Sequence, residues 1–234
     1  MTHADTTLPP LMRQAAGQFI ALLQACPGSE TLPAPAQPPH EPGLVWHNTL
    51  FTAPGFRRAH VELLEIPDHF AVVHVCIFPH LNDTTPIFGF DMIAGRTQAT
   101  GIFMDFSPVT QAPPIPRLAD IVTPQTRAAF GVHRASPAWG TIFSPDLFAI
   151  RPGNATEIHA ALALAQGAGD FYLRRLCSKG RRRSDDETTI TAGHARYAKA
   201  QRLNPHTYRM LSRYVGAVRA RVFIDDVLFP LPMA

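Results

Sequence analysis

Short apolar runs separated by proline, glycine, asparagine and aspartate fill residues 60–107, which is the pattern of a β-meander. Residues 70–78 and 87–93 are nearly all apolar, as expected of strands that are covered on both faces. A hairpin turn is predicted at residues 94–97, and residues 98–106 return as the next strand. Because the connections are short, neighbouring strands should pair antiparallel. The pattern therefore predicts one antiparallel sheet.

Helical periodicity precedes and follows this meander. Residues 11–26 have apolar side chains near helical spacing, which predicts an amphipathic helix. Residues 27–43 are rich in proline and lack periodicity, so we expect a surface loop there. Further strands are predicted at residues 44–51, 57–66 and 148–151. Further helices are predicted at residues 117–130, with a break at Pro124, and at residues 188–203 and 206–221. Another predicted helix begins at Asn154 or Thr156 and ends at residue 176. This order predicts an α+β fold, with helices on the faces of a single sheet, in one domain spanning residues 1–234.

Composition removes several classes of protein. The chain has 234 residues, of which 46% are hydrophobic and 17% charged, as in globular proteins. No apolar run approaches the roughly 18 residues that cross a bilayer, and the N-terminus lacks the order of a signal peptide, so we expect a cytoplasmic protein without a membrane segment. Three cysteines without CxxC spacing indicate neither a disulfide framework nor a zinc site. Nucleotide-binding glycine motifs are absent, so we expect no intrinsic metal or organic cofactor.

Basic residues concentrate late in the chain, which has a formal net charge of +3. The run at residues 181–183 is either a solvated loop or part of a docking surface for an acidic partner. No aromatic residues interleave with this run, and a nucleic-acid partner is therefore not expected.

Four ionisable residues interrupt the apolar runs of the meander: His60, Glu62, His74 and Asp91. His60 and Glu62 are two positions apart, so on one strand their side chains share a face. Each residue alone is typical of a satisfied polar group at a strand edge. A buried ionisable group needs a partner, a shifted pKa or a function, and four of them on neighbouring strands indicate a site.

Several motifs resemble the ferredoxin-dependent bilin reductases. They are residues 78–79, 86–91 (PIFGFD), 105–109 (DFSPV), 139–144 (WGTIFS) with 150–152, and 227–229 (VLF). The resemblance spans roughly residues 55–230 with its order preserved. It implies a three-layer α/β/α sandwich around the antiparallel sheet. It also implies reduction of biliverdin IXα to phycocyanobilin, through bilin radicals, by electrons from an acidic ferredoxin, and we expect a monomer.

The same resemblance implies a role for each candidate residue. Asp91 is the central proton donor beside the pyrrole nitrogens and the D-ring lactam, and His74 is linked to it across the bilin. Glu62 supplies the proton for the D-ring vinyl group, and His60 relays protons from behind. From the residues alone, an acid and an imidazole in an apolar cavity share one proton and titrate as a coupled pair.

Three further residues are implied to bind substrate: Arg134 at a propionate, Asn204 in the pocket lining, and His206 at the second propionate. Here the chain departs from the family pattern, since Pro205 and His206 stand where an aspartate and a lysine are usual. Histidine can still donate a hydrogen bond, but the change leaves the end point of reduction open. The alternatives are phycoerythrobilin or a dihydrobilin as product, or a non-catalytic tetrapyrrole-binding protein that retains the pocket.

Overall fold

The computed structural model describes residues 7–34, 43–66, 69–137, 140–178 and 186–232. Its centre is a seven-stranded antiparallel sheet whose strands lie side by side in chain order. The strands are β1 (Glu30–Leu32), β2 (Val45–Ala53), β3 (Phe56–Ile66), β4 (Phe70–Pro79), β5 (Ile87–Gly95), β6 (Ala99–Ser107) and β7 (Phe148–Ile150). The predicted meander is confirmed, and each of its strands ends within two residues of the predicted boundary.

Helices cover both faces of this sheet, which confirms the three-layer sandwich. The helices are α1 (Leu8–Gln24), α2 (Pro124–Ala128), α3 (Ala155–Leu176), α4 (Glu187–Arg202), α5 (Pro205–Val215) and α6 (Ala217–Phe223). One face packs on α1 and α3. The other face packs on α4, α5 and α6 and on a π-helical turn, Ile224–Leu228, that follows α6. None of the described helices is long and apolar enough to cross a membrane.

The face beneath α1 and α3 is a continuous apolar layer. Alternate residues of the strands, among them Val73 and Phe90, are fully buried in it because side chains alternate between the two faces of a strand. Phe19 of α1 stacks on Phe90, with ring centroids 5.3 Å apart. A Cβ at Gly169 of α3 would lie 2.8 Å from the Phe19 ring, so glycine permits this close approach of the two helices.

Local sequence explains where the helices of the opposite layer begin and end. The side chain of Asn204 accepts a hydrogen bond from the backbone N–H of His206, and Pro205 occupies the first turn, so α5 starts there. Gly216, at a φ of +82°, separates α5 from α6. The prediction of one helix over residues 206–221 was therefore wrong at this glycine.

Two other predictions need correction. The proline-rich loop predicted at residues 27–43 contains the short strand β1 (Glu30–Leu32), which pairs with β2 at the sheet edge, while residues 35–42 lie outside the described part of the chain. The helix predicted over residues 117–130 is shorter than expected: a 3₁₀ turn, Leu118–Asp120, precedes the predicted break, and α2 follows it. Pro124 opens α2 at the first helical position, where its missing N–H costs no hydrogen bond, and Thr123 caps that helix.

Candidate active site

The register of the sheet brings three of the predicted residues, Glu62, His74 and Asp91, into one row with Asn48. Asn48 pairs with Glu62 across β2 and β3, Glu62 with His74 across β3 and β4, and His74 with Asp91 across β4 and β5. Directly opposed residues of neighbouring strands point to the same side. The row therefore runs across four strands on the face covered by α4–α6.

A cavity of about 620 Å³ opens over this row. Its floor carries Glu62, His74 and Asp91 together with apolar residues such as Val72 and Ile93. Its other walls come from the β6–β7 region, from α4 and α5, and from the residues after α6. Pockets for ligands of drug or cofactor size typically have about 300–1,000 Å³ and a few convergent polar groups in an apolar lining. This cavity is of that kind.

His74 and Asp91 form an ion pair at the cavity wall. His74 Nδ1 lies 2.7 Å from Asp91 Oδ1, with side chains that are 5% and 37% exposed, respectively. Burial by itself lowers the pKa of His74, but the charge of Asp91, the hydrogen bond to it and the charge of Glu62 outweigh burial and raise that pKa. The pair thus keeps a proton on or beside the imidazole, next to a carboxylate that faces the cavity.

His60 lies behind His74 and outside the cavity lining. Its Nε2–H donates to Asn48 Oδ1 at 2.9 Å, and its ring centroid is 5.9 Å from that of His74. Burial, with the charges of His74 and Arg58, lowers the pKa of His60 well below its ordinary value, so His60 is neutral. Within the described residues His60 Nδ1 and His74 Nε2 have no hydrogen-bond partner. An acceptor and a donor are thereby left on adjoining rings, as a proton relay requires.

Glu62 is buried and hydrogen-bonded from the neighbouring strand. Trp46 Nε1 donates to Glu62 Oε1 at 2.6 Å. Burial raises the pKa of Glu62 to about 7, against the opposing effects of the His74 charge and the Trp46 hydrogen bond. A carboxyl group with this pKa is available as an acid near neutral pH.

Cationic and polar residues lie at the rim of the cavity. Arg134 and Arg151 both line it and both are exposed residues, and Arg134 Nη1 donates to the carbonyl of Thr100 at 3.0 Å. The chain around them is held because Arg134 N–H donates to Ala149 O and Arg151 N–H to Val132 O. Asn204 and His206 lie on the α5 side of the same cavity. Arginine forks suit the carboxylates of a ligand.

Asp105 holds the wall made by the loop before β7. This buried carboxylate accepts hydrogen bonds from Ser107 Oγ and from both the backbone N–H and the Oγ of Ser144. Phe143 and Leu147, beside Ser144, line the cavity. The DFS and FS motifs of the sequence therefore meet in space and connect β6 to this loop. Trp139 of the second motif lies outside the described residues.

The structure thus brings all seven predicted residues to one place: six line the cavity and His60 lies directly behind it. Sequence reasoning missed Trp46, Asn48 and Arg151. Trp46 and Asn48 are buried on β2, where a tryptophan in an apolar run is typical of core and the asparagine carries no charge. Arg151 was part of a quoted motif, and its position next to a predicted strand was the available signal. Among the described residues no group of His, Cys, Asp or Glu side chains could hold a metal ion.

The fold and site define a class of protein: an α+β sandwich whose sheet presents acids and imidazoles to a large, mainly apolar cavity. Comparison with known families identifies it further. The family model for ferredoxin-dependent bilin reductases matches residues 33–230. The chain belongs to this family and is an oxidoreductase.

Relatives and solved structures agree with this assignment. The phycocyanobilin:ferredoxin oxidoreductase of Gloeobacter violaceus is 30% identical over 190 residues, which cover 79% of this chain and 74% of the relative. That of Trichodesmium erythraeum is 26% identical over 95% of this chain and 94% of the relative. Two solved structures have the same fold. The first, tomato phytochromobilin synthase in complex with biliverdin, has a TM-score of 0.69 to this chain at 14% sequence identity, and the match covers 95% of this chain and 82% of the synthase. The second, a protein titled PcyX, scores 0.64 at 19% identity, covering 95% and 99%.

Proposed function

We propose that the protein reduces biliverdin IXα to phycocyanobilin with electrons from ferredoxin. The observation that carries this proposal is the row of Glu62, His74 and Asp91 on the floor of a cavity large enough for a folded tetrapyrrole. Relatives at 26–30% identity carry the name of this activity. A carrier of bilins would need the slot but not a set of proton donors aimed into it.

The reaction adds four electrons and four protons to the bilin. Ferredoxin supplies electrons one at a time, so bilin radicals form between electron transfers. What the protein contributes is the timing and position of proton transfer, together with exclusion of water. In this proposal the Asp91–His74 pair protonates the bilin near its pyrrole nitrogens and the D-ring lactam. Glu62 protonates the D-ring vinyl group, and His60, whose unprotonated Nδ1 adjoins the protonated His74 ring, takes part in the relay of protons through His74.

Binding follows from the same cavity. Arg134 and Arg151 at the rim receive the two propionates as bidentate partners. His206, expected from the sequence at the second propionate, instead donates a hydrogen bond from the α5 side together with Asn204. Apolar residues such as Val72, Ile93 and Phe229 cover the pyrrole rings.

We also propose where ferredoxin docks. The outer surface of α5 and α6, together with Leu203 at the end of α4, is here called the α5–α6 face. It carries both exposed arginines and exposed apolar residues: Arg209, Arg213, Arg219, Arg221, Leu203, Val218 and Val222. Leu203 is 71% exposed and Val218 79%. Leu203 directly precedes cavity-lining Asn204, so electrons would enter close to the bilin. An acidic partner would be steered to such a face by charge and held there by apolar contact. The predicted docking run at residues 181–183 lies outside the described residues.

The deciding experiment is an anaerobic assay with biliverdin IXα, ferredoxin and a ferredoxin reductase, with products separated by chromatography against standards. We expect the biliverdin spectrum to shift when the bilin binds and phycocyanobilin to accumulate. A biliverdin spectrum unchanged at micromolar protein, with no product, would overturn the proposal. Phycoerythrobilin or a dihydrobilin as final product would overturn the end point and connect it to Pro205 and His206.

A further inference from the structure

The indole of Trp46 is the one hydrogen-bond partner that the described residues give to the Glu62 carboxyl. Trp46 pairs with Leu64 in the register of β2 and β3, so its side chain reaches Glu62 on the diagonal. Nε1 and Oε1 are 2.6 Å apart, and both residues are 2% exposed. Trp46 lines no part of the cavity, whereas Glu62 does. Any effect of the indole on a bound ligand therefore passes through Glu62.

The chemistry of the indole group fixes the direction of this hydrogen bond. An indole N–H donates and has no acceptor, so Glu62 Oε1 must accept in every protonation state. In the neutral acid the carbonyl oxygen is the better acceptor, and the acidic proton then sits on the other oxygen. We propose that Trp46 is a positioning residue that keeps the transferable proton of Glu62 on Oε2, the oxygen left free for the bilin. This inference rests on the proposed function, because it takes Glu62 as a proton donor.

Trp46 is itself held firmly. Its ring packs against Phe223 of α6, with centroids 4.4 Å apart at an interplanar angle of 59°. A buried N–H that loses its partner is costly, so the indole resists turning away from the carboxyl. The rotamer of Glu62 is thereby set by strand β2 and by the helix layer, before any substrate binds.

The hydrogen bond also adjusts the strength of the acid. It stabilises the carboxylate that remains after the proton leaves, because a hydrogen bond to a charged acceptor is stronger than one to a neutral acceptor. Burial raises the pKa of Glu62 to about 7 and the Trp46 bond works against it. Removing the bond should make the acid weaker and leave its proton without a fixed position.

The test measures the pKa of Glu62 in Trp46→Phe and in the wild type. The titration is monitored by NMR of protein labelled with ¹³C at the glutamate carboxyl carbon. The chain has six glutamates, and Glu62→Gln assigns the resonance. We expect the Glu62 midpoint to rise by about 1 pH unit, the size expected when one charge-assisted hydrogen bond is lost. In the ferredoxin-coupled assay we expect reduction to be about 10-fold slower and a product with an intact D-ring vinyl group to accumulate. In the pH profile of the rate, the alkaline limb, where the rate falls, should shift to higher pH together with the Glu62 midpoint.

Two companion proteins separate the hydrogen bond from packing. Phe223→Leu removes the ring contact but keeps the indole N–H, and we expect the midpoint to stay within about 0.3 unit of the wild type. Incorporation of 3-benzothienylalanine at position 46 replaces the N–H by sulphur in the same shape, and it should reproduce Trp46→Phe even where phenylalanine perturbs the fold.

An unmoved Glu62 midpoint in both variants of position 46 would overturn the inference. If the Glu62 midpoint moves but the products and the alkaline limb of the rate profile do not change, the role of Trp46 in proton delivery is overturned. If the wild-type protein reduces no bilin, the proposed function fails instead, and the titration alone still decides whether Trp46 sets the state of Glu62.

Discussion

The two faces of the sheet are built by the same strands and differ in almost every physical respect. Val61, Val73 and Met92 point to α1 and α3 and are buried among apolar side chains. Glu62, His74 and Asp91, their neighbours in sequence, point to the opposite side and line the cavity. Because burial of apolar area is the main stabilising term, the first face can hold the fold while the second carries polar groups that are expensive to bury.

This division explains how the cavity face tolerates incomplete hydrogen bonding. The ring nitrogens His60 Nδ1 and His74 Nε2 lack partners within the described chain, and each such buried group costs about 1–3 kcal/mol. The apolar face, by contrast, satisfies even its large polar residue: Tyr172 O–H donates to the carbonyl of Pro86 at 2.6 Å. Stability and chemistry are thus assigned to opposite sides of one sheet, and substitutions should separate them.

The substitution expected to affect activity most, with little effect on stability, is at Asp91. Asp91→Asn keeps the shape of the site but removes the charge beside His74, so we expect bilin reduction to fall about 10²–10⁴-fold with little change in bilin affinity. Met92→Leu, one residue away on the apolar face, is the matched control and should keep nearly full activity. Single-turnover rates and bilin titrations measure both quantities. Full turnover by Asp91→Asn would remove Asp91 from the central role.

The opposite result, a large loss of stability with activity retained, is expected at Phe88. This fully buried ring lies in an aromatic cluster with Phe19, Phe106 and Tyr172, with centroids 5.5–6.0 Å apart. Phe88→Ala should lower the free energy of unfolding by about 3–5 kcal/mol through lost burial and a cavity. Urea unfolding measures this, and Phe88→Leu should lose markedly less. The protein that remains folded should retain the site, so a loss of turnover per folded molecule comparable to that of Asp91→Asn would contradict the division of the faces.

The next effect concerns pH. The pKa of Glu62 is raised from its ordinary 4.5 to about 7 in the folded protein, mainly by burial. Folding is then favoured with the proton bound, so this contribution is complete below pH 4.5 and is lost as pH rises through about 7. The loss amounts to about 3 kcal/mol, given 1.36 kcal/mol per pKa unit.

Glu62→Gln should abolish this dependence, because an amide has no proton to lose. Urea unfolding of both proteins between about pH 4.5 and pH 8 should show the variant gaining about 3 kcal/mol relative to the wild type over that interval. His74 titrates as part of the same coupled system, so the difference between the two proteins is the quantity to compare. A difference that is independent of pH would show that Glu62 is not a buried acid.

The smallest expected effect is on the rate of ferredoxin-dependent reduction, and it comes from charge reversals on the outer surfaces of the two helix layers. Arg209→Glu with Arg219→Glu on the α5–α6 face should slow ferredoxin-dependent reduction about 3–10-fold at low salt, with the difference shrinking at high salt as charges are screened. Arg174→Glu with Arg175→Glu, at two exposed residues near the end of α3 on the opposite layer, makes the same change in net charge. This control should leave the rate unchanged. Equal slowing by both changes would indicate a general effect of net charge and no docking at the α5–α6 face.

Much of the sheet was predictable from sequence because its signals are local. The runs at residues 70–78 and 87–93 are long and apolar and are bounded by turn residues, and their strands lie close to the predicted positions. Strand β1 has three residues among prolines, too short for any periodicity, and its pairing with β2 supplies what the pattern lacks. The break at Gly216 was missed because one glycine in a helical pattern is often tolerated.

The candidate site divides along similar lines. Ionisable residues in apolar runs, such as Glu62 and His74, stand out in the sequence because burying them is expensive. Trp46 does not stand out, since its indole nitrogen becomes relevant only once the register of β2 against β3 is known. Pairings between strands depend on non-local contacts, and the sequence of one strand does not contain them.

The row across β2–β5 also has a consequence for how this chain tolerates change in length. Side chains alternate strictly along a strand, so one residue inserted into β4 between Val72 and His74 would turn the imidazole toward α1 and bring a valine to the cavity floor. An insertion or deletion inside these strands would therefore disrupt the proposed site while keeping every candidate residue in the sequence. Changes in length should therefore be tolerated only in the loops, where they leave the alternation of the strands intact.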